Sequence, residues 1–403
     1  MRASPFVTLA ITVAIQSLVS AAVLVVPVLA PVIGPVYGVG AETLGAYVAL
    51  VYCGAMIGSL MAGEWVTRLG AIRASQLGMV LSASGLLLSL LGWLPLVVAG
   101  ALLIGIGYGP ITPASSHLLV KTTPARRMSL VFSIKQTGVP LGGVLAGVVA
   151  PWLLEWVGWR GALAGFALAS LLCTVLSQGL RRELDADRKP LHRAASGKLR
   201  APLKLIFSQR SLVLLALASL TFSAVQLSVS AYTVTYLHDS LGYTLVLAGL
   251  MLSIAQVAGV VGRILWGWCA DRLGSAISTL AVLAIAMALS CWALAALPAG
   301  SHQVLLGLVL FALGAGAIGW NGVYLAEVAR QAPPGQAGMA TAGTLTCTFL
   351  GVVLGPPVFG LVVSLTGSYR IAFFLIAVPA LLAGVLLYAQ RRHFRLPGQA
   401  AGR

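Results

Sequence analysis

Charge is what this sequence has least of, and negative charge least of all. Charged residues fill 8% of its 403 positions, and only nine of them are Asp or Glu. A water-soluble domain of this size needs far more charge to cover 59% hydrophobic residues and a mean hydropathy of +0.99. Cysteine is also scarce. Cys53, Cys173, Cys269, Cys291 and Cys347 are scattered with no C-x-x-C pair, so reduced thiols filling small apolar spaces are expected rather than a metal or redox site. No GxxxxGK[ST] string occurs, and no nucleophile constellation is recognisable. The expectation is a chain that is not an enzyme, with no cofactor, no metal and no ATP drive.

What the chain does have is long uncharged runs, each near the ~20 residues that cross a bilayer as a helix. Twelve are expected, at roughly 6–33, 43–62, 72–92, 94–120, 128–153, 160–180, 211–237, 245–268, 276–297, 302–329, 339–365 and 369–390. The first is too long for a signal-peptide core and reads as a retained span. The net charge of +16 suggests nucleic acid until its distribution is mapped. With the N-terminus inside, all Lys and Arg except Lys135, Arg160, Arg263 and Arg370 fall on or beside cytoplasmic segments. That is the positive-inside asymmetry of a multi-pass protein of a bacterial-type inner membrane with both termini cytoplasmic. The basic stretch Arg181 to Arg210 lies where it meets anionic lipid. It lacks interleaved aromatics apart from Phe207, so no nucleic-acid partner is expected.

One short string occurs twice: GEWVTRLG from Gly63 and GWCADRLG from Gly267, 204 positions apart (267 − 63). A second echo has an offset of 209 (314 − 105). It pairs GIGYGPITPASSHLLVK from Gly105 with GAGAIGWNGVYLAEVAR from Gly314, and Gly142 with Gly351. The turns Gly158-Trp159-Arg160 and Ser368-Tyr369-Arg370 also correspond. A repeat at half the chain length, inside a membrane, is the mark of a transporter.

On these residues the chain resembles the major facilitator superfamily. The family's loop signature, G-x-x-x-D-R-x-G-R-R/K, is kept at Gly267, Asp271, Arg272 and Gly274. The first copy keeps Gly63, Arg68 and Gly70 but has Thr67 in place of the acid, with its basic residue displaced to Arg73. The resemblance implies an all-α membrane protein of twelve helices in two pseudo-symmetric six-helix bundles. Residues 1–180 would form the first bundle, 181–210 a cytoplasmic basic linker and 211–403 the second bundle. It further implies a monomer working by alternating access, with spans 1, 4, 7 and 10 around the cavity.

No acid lies mid-span, but one base does. Lys135 falls roughly 10 Å into span 5. An ammonium at the centre of a span costs about 3 kcal/mol to insert, so it is normally paired. With no deep carboxylate to pair it, an anionic cargo such as a small carboxylate is the expected partner, with Gln136 as a neighbouring donor. The alternative is that Lys135 snorkels along its stem to the cytoplasmic surface. Other candidate substrate contacts are Gln16 on span 1, Gln226 and Tyr232 on span 7, Gln256 on span 8, and Trp320, Asn321 and Tyr324 on span 10. Each of these could equally be interhelical glue.

Asp271 is expected to latch the cytoplasmic side, through Arg263 or Arg272 and through the start of span 5 at Arg126 and Arg127. Arg68, which matches Arg272 in the first copy, is a gating candidate as well. Glu327 and Arg330 are expected to pair at i, i+3 as a structural feature. His117 reads as a surface histidine. The preferred function is a secondary transporter of small organic anions, by proton-linked symport. A proton-driven exporter of drugs or metabolites and a non-transporting membrane sensor are the alternatives.

Overall fold

A computed structural model of the chain describes residues 5–39, 43–188, 200–243 and 245–394. Both termini and the middle of the basic linker, 189–199, lie outside the described residues. The described residues are almost entirely helical and contain no strand. Backbone polar groups cannot be left unpaired in hydrocarbon, and an apolar run satisfies them within itself only as a helix. Among the described residues, eleven helices are long and apolar enough to cross a membrane. The expected fifth span is not among them, being divided at Thr137 into Met128–Gln136 and the start of Gly138–Ser177. The latter carries the turn into the sixth span at Gly158, whose φ of 69° suits a residue without Cβ. Large side chains such as Val148, Leu168, Leu176 and Leu365 stand two-thirds exposed or more, a surface suited to lipid.

Contacts group the chain into two compact units. The first comprises 1–124, 135–208 and 332–346; the second comprises 125–134, 209–331 and 347–403. Each therefore contains one segment from the other half of the sequence.

Close helix approach through glycine recurs in both units. In the first, a Cβ on Gly142 would lie 2.5 Å from Ser20 Cβ and 2.8 Å from Ala21 N. In the second, its repeat partner Gly351 would bring a Cβ 2.9 Å from the Leu220 carbonyl carbon. Small residues win contact area where lipid removes the hydrophobic incentive. The repeat also governs interruptions. Helices Leu94–Tyr108 and Ile111–Thr122 meet at Gly109 and Pro110, and Gln303–Ala317 and Asn321–Gln331 meet at 318–320. In each unit a candidate polar cluster sits beside that interruption.

Candidate functional site

In the first unit the cluster is built around Lys135. Helix Met128–Gln136 ends one residue beyond it, and Gly138 opens the next helix. A Cβ on Gly138 would lie 2.8 Å from Gln16 Cβ and 2.9 Å from Val13 O, so glycine is what admits helix Pro5–Val28 this close. That approach brings Gln16 to Lys135. The Lys135 Nζ donates to Gln16 Oε1 at 2.7 Å, to Thr112 Oγ1 at 3.1 Å and to Gln136 Oε1 at 3.1 Å. Thr112 Oγ1 in turn donates to Gln16 Oε1 at 3.1 Å, and Gln16 Nε2 donates to Ser20 Oγ at 3.2 Å.

Lys135 is 1% exposed, which removes the snorkelling alternative. The expectation of an ammonium without partners is also corrected. All three of its donors are used, but every acceptor is neutral, and no ion pair among the described residues involves it. Hydrogen bonds to a charged group are each worth about 1.5–3 kcal/mol, enough to offset an insertion cost of about 3 kcal/mol. They hold the cation without cancelling its charge.

Thr112 is a member that the sequence reading missed. The available signal was its position, one turn beyond Tyr108 and one turn before Ser115 and Ser116. Tyr108 packs against a buried cluster that includes Ile15 and Val19 from the helix of Gln16, and meets Tyr52 edge-on at 6.4 Å. An aromatic pair therefore lies about one helical turn from the Lys135 cluster, within the same unit.

The second unit carries an uncharged cluster at the 318–320 interruption. Gln226 Oε1 accepts from Trp320 Nε1 at 3.0 Å and from Asn321 Nδ2 at 3.2 Å. Trp320 is fully buried, with its ring edge-on to Phe222 at 5.5 Å and Tyr324 at 5.2 Å. Tyr232 and Gln256 have different neighbours. Tyr232 stacks on Phe359 at 4.6 Å and donates to Pro356 O at 3.1 Å. Gln256 is exposed and reaches Ser230 Oγ at 3.5 Å.

The second loop copy forms a charged cluster in the same unit. Asp271 accepts from the backbone amides of Ser129 at 3.1 Å and Leu130 at 2.8 Å, at the start of helix Met128–Gln136. A carboxylate is favoured there by the unpaired amides and the helix dipole. Its cationic partner is Arg330, at 3.2 Å, rather than Arg263 or Arg272. Arg263 is instead buried and donates to Ile318 O at 3.1 Å, and Arg272 lies over the Trp268 ring at 5.0 Å. Arg126 and Arg127 occupy an exposed turn, so span 5 reaches Asp271 through its backbone and not through these side chains.

Arg330 also bonds Glu327 Oε2 at 3.1 Å, the expected i, i+3 pair, and Ser129 Oγ at 2.9 Å. Reading it only against its helix neighbour hid this second connection. In the first copy Arg68 pairs with Glu64 at 2.8 Å along one helix. His117 is not a bare surface histidine: its Nε2 meets Asp187 Oδ2 at 2.8 Å, and Lys121 shares that oxygen.

A bilayer-length set of helices with internal two-fold repetition, holding a buried cation among neutral acceptors, defines a membrane transporter. The chain belongs to the Major Facilitator Superfamily, whose family model matches residues 9–356. It is 27% identical over 281 residues to an uncharacterized MFS-type transporter of Mycobacterium tuberculosis, covering 69% of this chain and 61% of that one. The alignment thus spans less than two-thirds of that relative. It is also 27% identical over 406 residues to a gallate transporter of Pseudomonas putida, covering 89% of this chain and 86% of the relative. Among solved structures, the proton:xylose symporter XylE superposes with a TM-score of 0.76 at 18% identity, covering 96% of each chain. At that identity the likeness is one of fold.

Proposed function

We propose that this protein is a secondary transporter of small organic carboxylates, working by alternating access in a bacterial-type inner membrane as a monomer with cytoplasmic termini. The observation that carries the reading is Lys135, a buried cation whose three partners are all neutral. A carboxylate is the ligand such a group lacks, and charge-assisted bonds to it are the strong ones. Aromatic carboxylates are favoured within the class. Tyr108 and Tyr52 offer ring faces about one turn away, and the gallate transporter of Pseudomonas putida aligns with most of the chain.

A carboxylate is a weak acid, so the proton that accompanies it supplies a drive. Coupling is assigned to proton-linked symport on that ground, and an inward proton gradient should accelerate uptake. Asp271 and Arg330 serve as the cytoplasmic latch, by holding the start of helix Met128–Gln136 on the second signature loop.

The test is uptake of labelled benzoate or gallate into proteoliposomes. Lys135→Gln should lower saturable uptake roughly ten- to a hundredfold, the worth of one charge-assisted bond, without lowering the melting temperature. Undiminished uptake by that variant would reject the carboxylate reading. Saturable efflux of cationic dyes would favour an exporter.

A further inference from the structure

The neutrality of the groups around Lys135 says something about the charge of the cargo. We infer that this site takes a ligand of one negative charge, and that Gln16 sets this selectivity by remaining an amide. The inference rests on the carboxylate reading above.

The argument is a charge count. Lys135 brings one positive charge, and Gln16, Thr112 and Gln136 bring none. Three of the first unit's described acids are engaged elsewhere. Glu64 pairs with Arg68, Asp185 accepts the amides of Ile72 and Arg73, and Asp187 is held by His117 and Lys121. A monocarboxylate therefore brings the occupied site to neutrality. A dicarboxylate leaves one negative charge in a buried, low-dielectric place whose described cluster holds Lys135 and no other cationic member, where uncompensated charge is strongly disfavoured.

Gln16 is the sensitive position. It is fully buried and makes the shortest bond to the ammonium, and its amide is fixed at both ends by Thr112 and Ser20. Gln and Glu have nearly the same shape. Gln16→Glu would place a permanent carboxylate 2.7 Å from the cation, at the present amide oxygen position. The empty site would then be neutral by itself, and a carboxylate ligand would have to compete with a tethered one.

The experiment compares benzoate with phthalate, which share a ring and differ by one carboxylate, in wild-type proteoliposomes at pH 7.5. Benzoate uptake should exceed phthalate uptake at least tenfold. Gln16→Glu should lose at least tenfold of its benzoate uptake while its melting temperature stays equal or rises. The inference is overturned if wild type carries both acids equally well, or if a folded Gln16→Glu transports benzoate like wild type. Should Gln16→Glu not fold, the wild-type comparison alone decides. Lys135→Gln, run alongside, separates the two levels. Loss of benzoate uptake in that variant with equal wild-type handling of both acids sinks the charge count and keeps the carboxylate reading; normal uptake in that variant sinks both.

Discussion

The two copies of the signature loop have related sequences and different bonding. In the second copy, Asp271 joins the Ser129 and Leu130 amides to Arg330. In the first, the matched residue is Thr67, whose hydroxyl turns back to Gly63 O at 2.8 Å within its own helix. The helices that follow are finished differently too. Ser275 caps Ala276–Ala296 locally, accepting from Ser278 N at 3.2 Å. Gly70 has no side chain with which to cap Ala71–Leu88, and Asp185 serves instead, accepting from Ile72 N at 2.8 Å and Arg73 N at 3.1 Å. A repeat inherited in sequence need not be a repeat in bonds. One copy is held by its own acid and the other by an acid brought from the beginning of the linker.

The largest effect should come from removing the acid of the second copy. Asp271→Ala leaves two helix-start amides and Arg330 without their shared acceptor, in a cluster about one-tenth exposed. A loss of about 2–4 kcal/mol is expected. Thr67→Val removes one hydroxyl bonded to its own helix, and about 0.5 kcal/mol or less should follow. Thermal unfolding in detergent measures both, and equal losses would break the comparison.

The glycines that open the two strings should differ in the same sense. A Cβ on Gly267 would lie 2.7 Å from Ser133 Cβ and 2.9 Å from the Ser129 carbonyl oxygen. On Gly63 it would meet Met339 Cγ at 3.4 Å and Cβ at 3.6 Å, ordinary van der Waals contacts. Gly267→Ala is therefore expected to cost about 1–3 kcal/mol by overpacking. Gly63→Ala should be close to neutral, since its helix gains up to about 1 kcal/mol from the better helix former. A Gly63→Ala variant as damaged as Gly267→Ala would show that the first loop is packed as tightly as the second.

How much of this was legible in the sequence depends on range. The spans follow from local composition, and the repeat itself pointed to Gly142 and Gly351; the breaks at 109–110, 137 and 318–320 came only with the structure. Lys135 stood out because a lone cation in an apolar run needs explanation. Its acceptors were less accessible: Gln16 and Thr112 lie 119 and 23 residues away in sequence, and only close packing at Gly138 brings Gln16 within reach. The Asp271 partner was misread for a related reason. Arg263 and Arg272 are near it in sequence, whereas Arg330 arrives from a different helix. Neighbours along one helix can be read from spacing; an ion pair between helices depends on rotation and tilt that spacing does not carry. Tyr232 and Gln256 show the same limit. Both are polar or aromatic residues in spans, but their contacts are with Pro356, Phe359 and Ser230 rather than with Gln226.

The smallest effect is a matter of sign, and it tests whether the first copy truly depends on borrowed acids. Burial pushes the Asp185 carboxyl above its ordinary value, against the opposing pull of the Ile72 and Arg73 amides and Arg181. Burial pushes Asp187 the same way, but the Lys121 and His117 donors outweigh it and hold that carboxyl below its ordinary value. Stability from Asp187 is therefore present above the unfolded value of about 3.9 and lost as pH falls through its depressed folded value. Stability from Asp185 runs oppositely, being fully present below the unfolded value and lost as pH rises through its raised folded value. Melting temperatures taken from acid to neutral pH should then diverge. Relative to wild type, Asp187→Asn should lose ground toward neutral pH and Asp185→Asn should gain it. The shifts will be modest because Asp187 is 44% exposed and its pairs are screened by solvent. Two variants that track wild type in parallel would mean that neither acid senses its folded surroundings, and the borrowed Asp185 cap would then carry no pH-dependent stability.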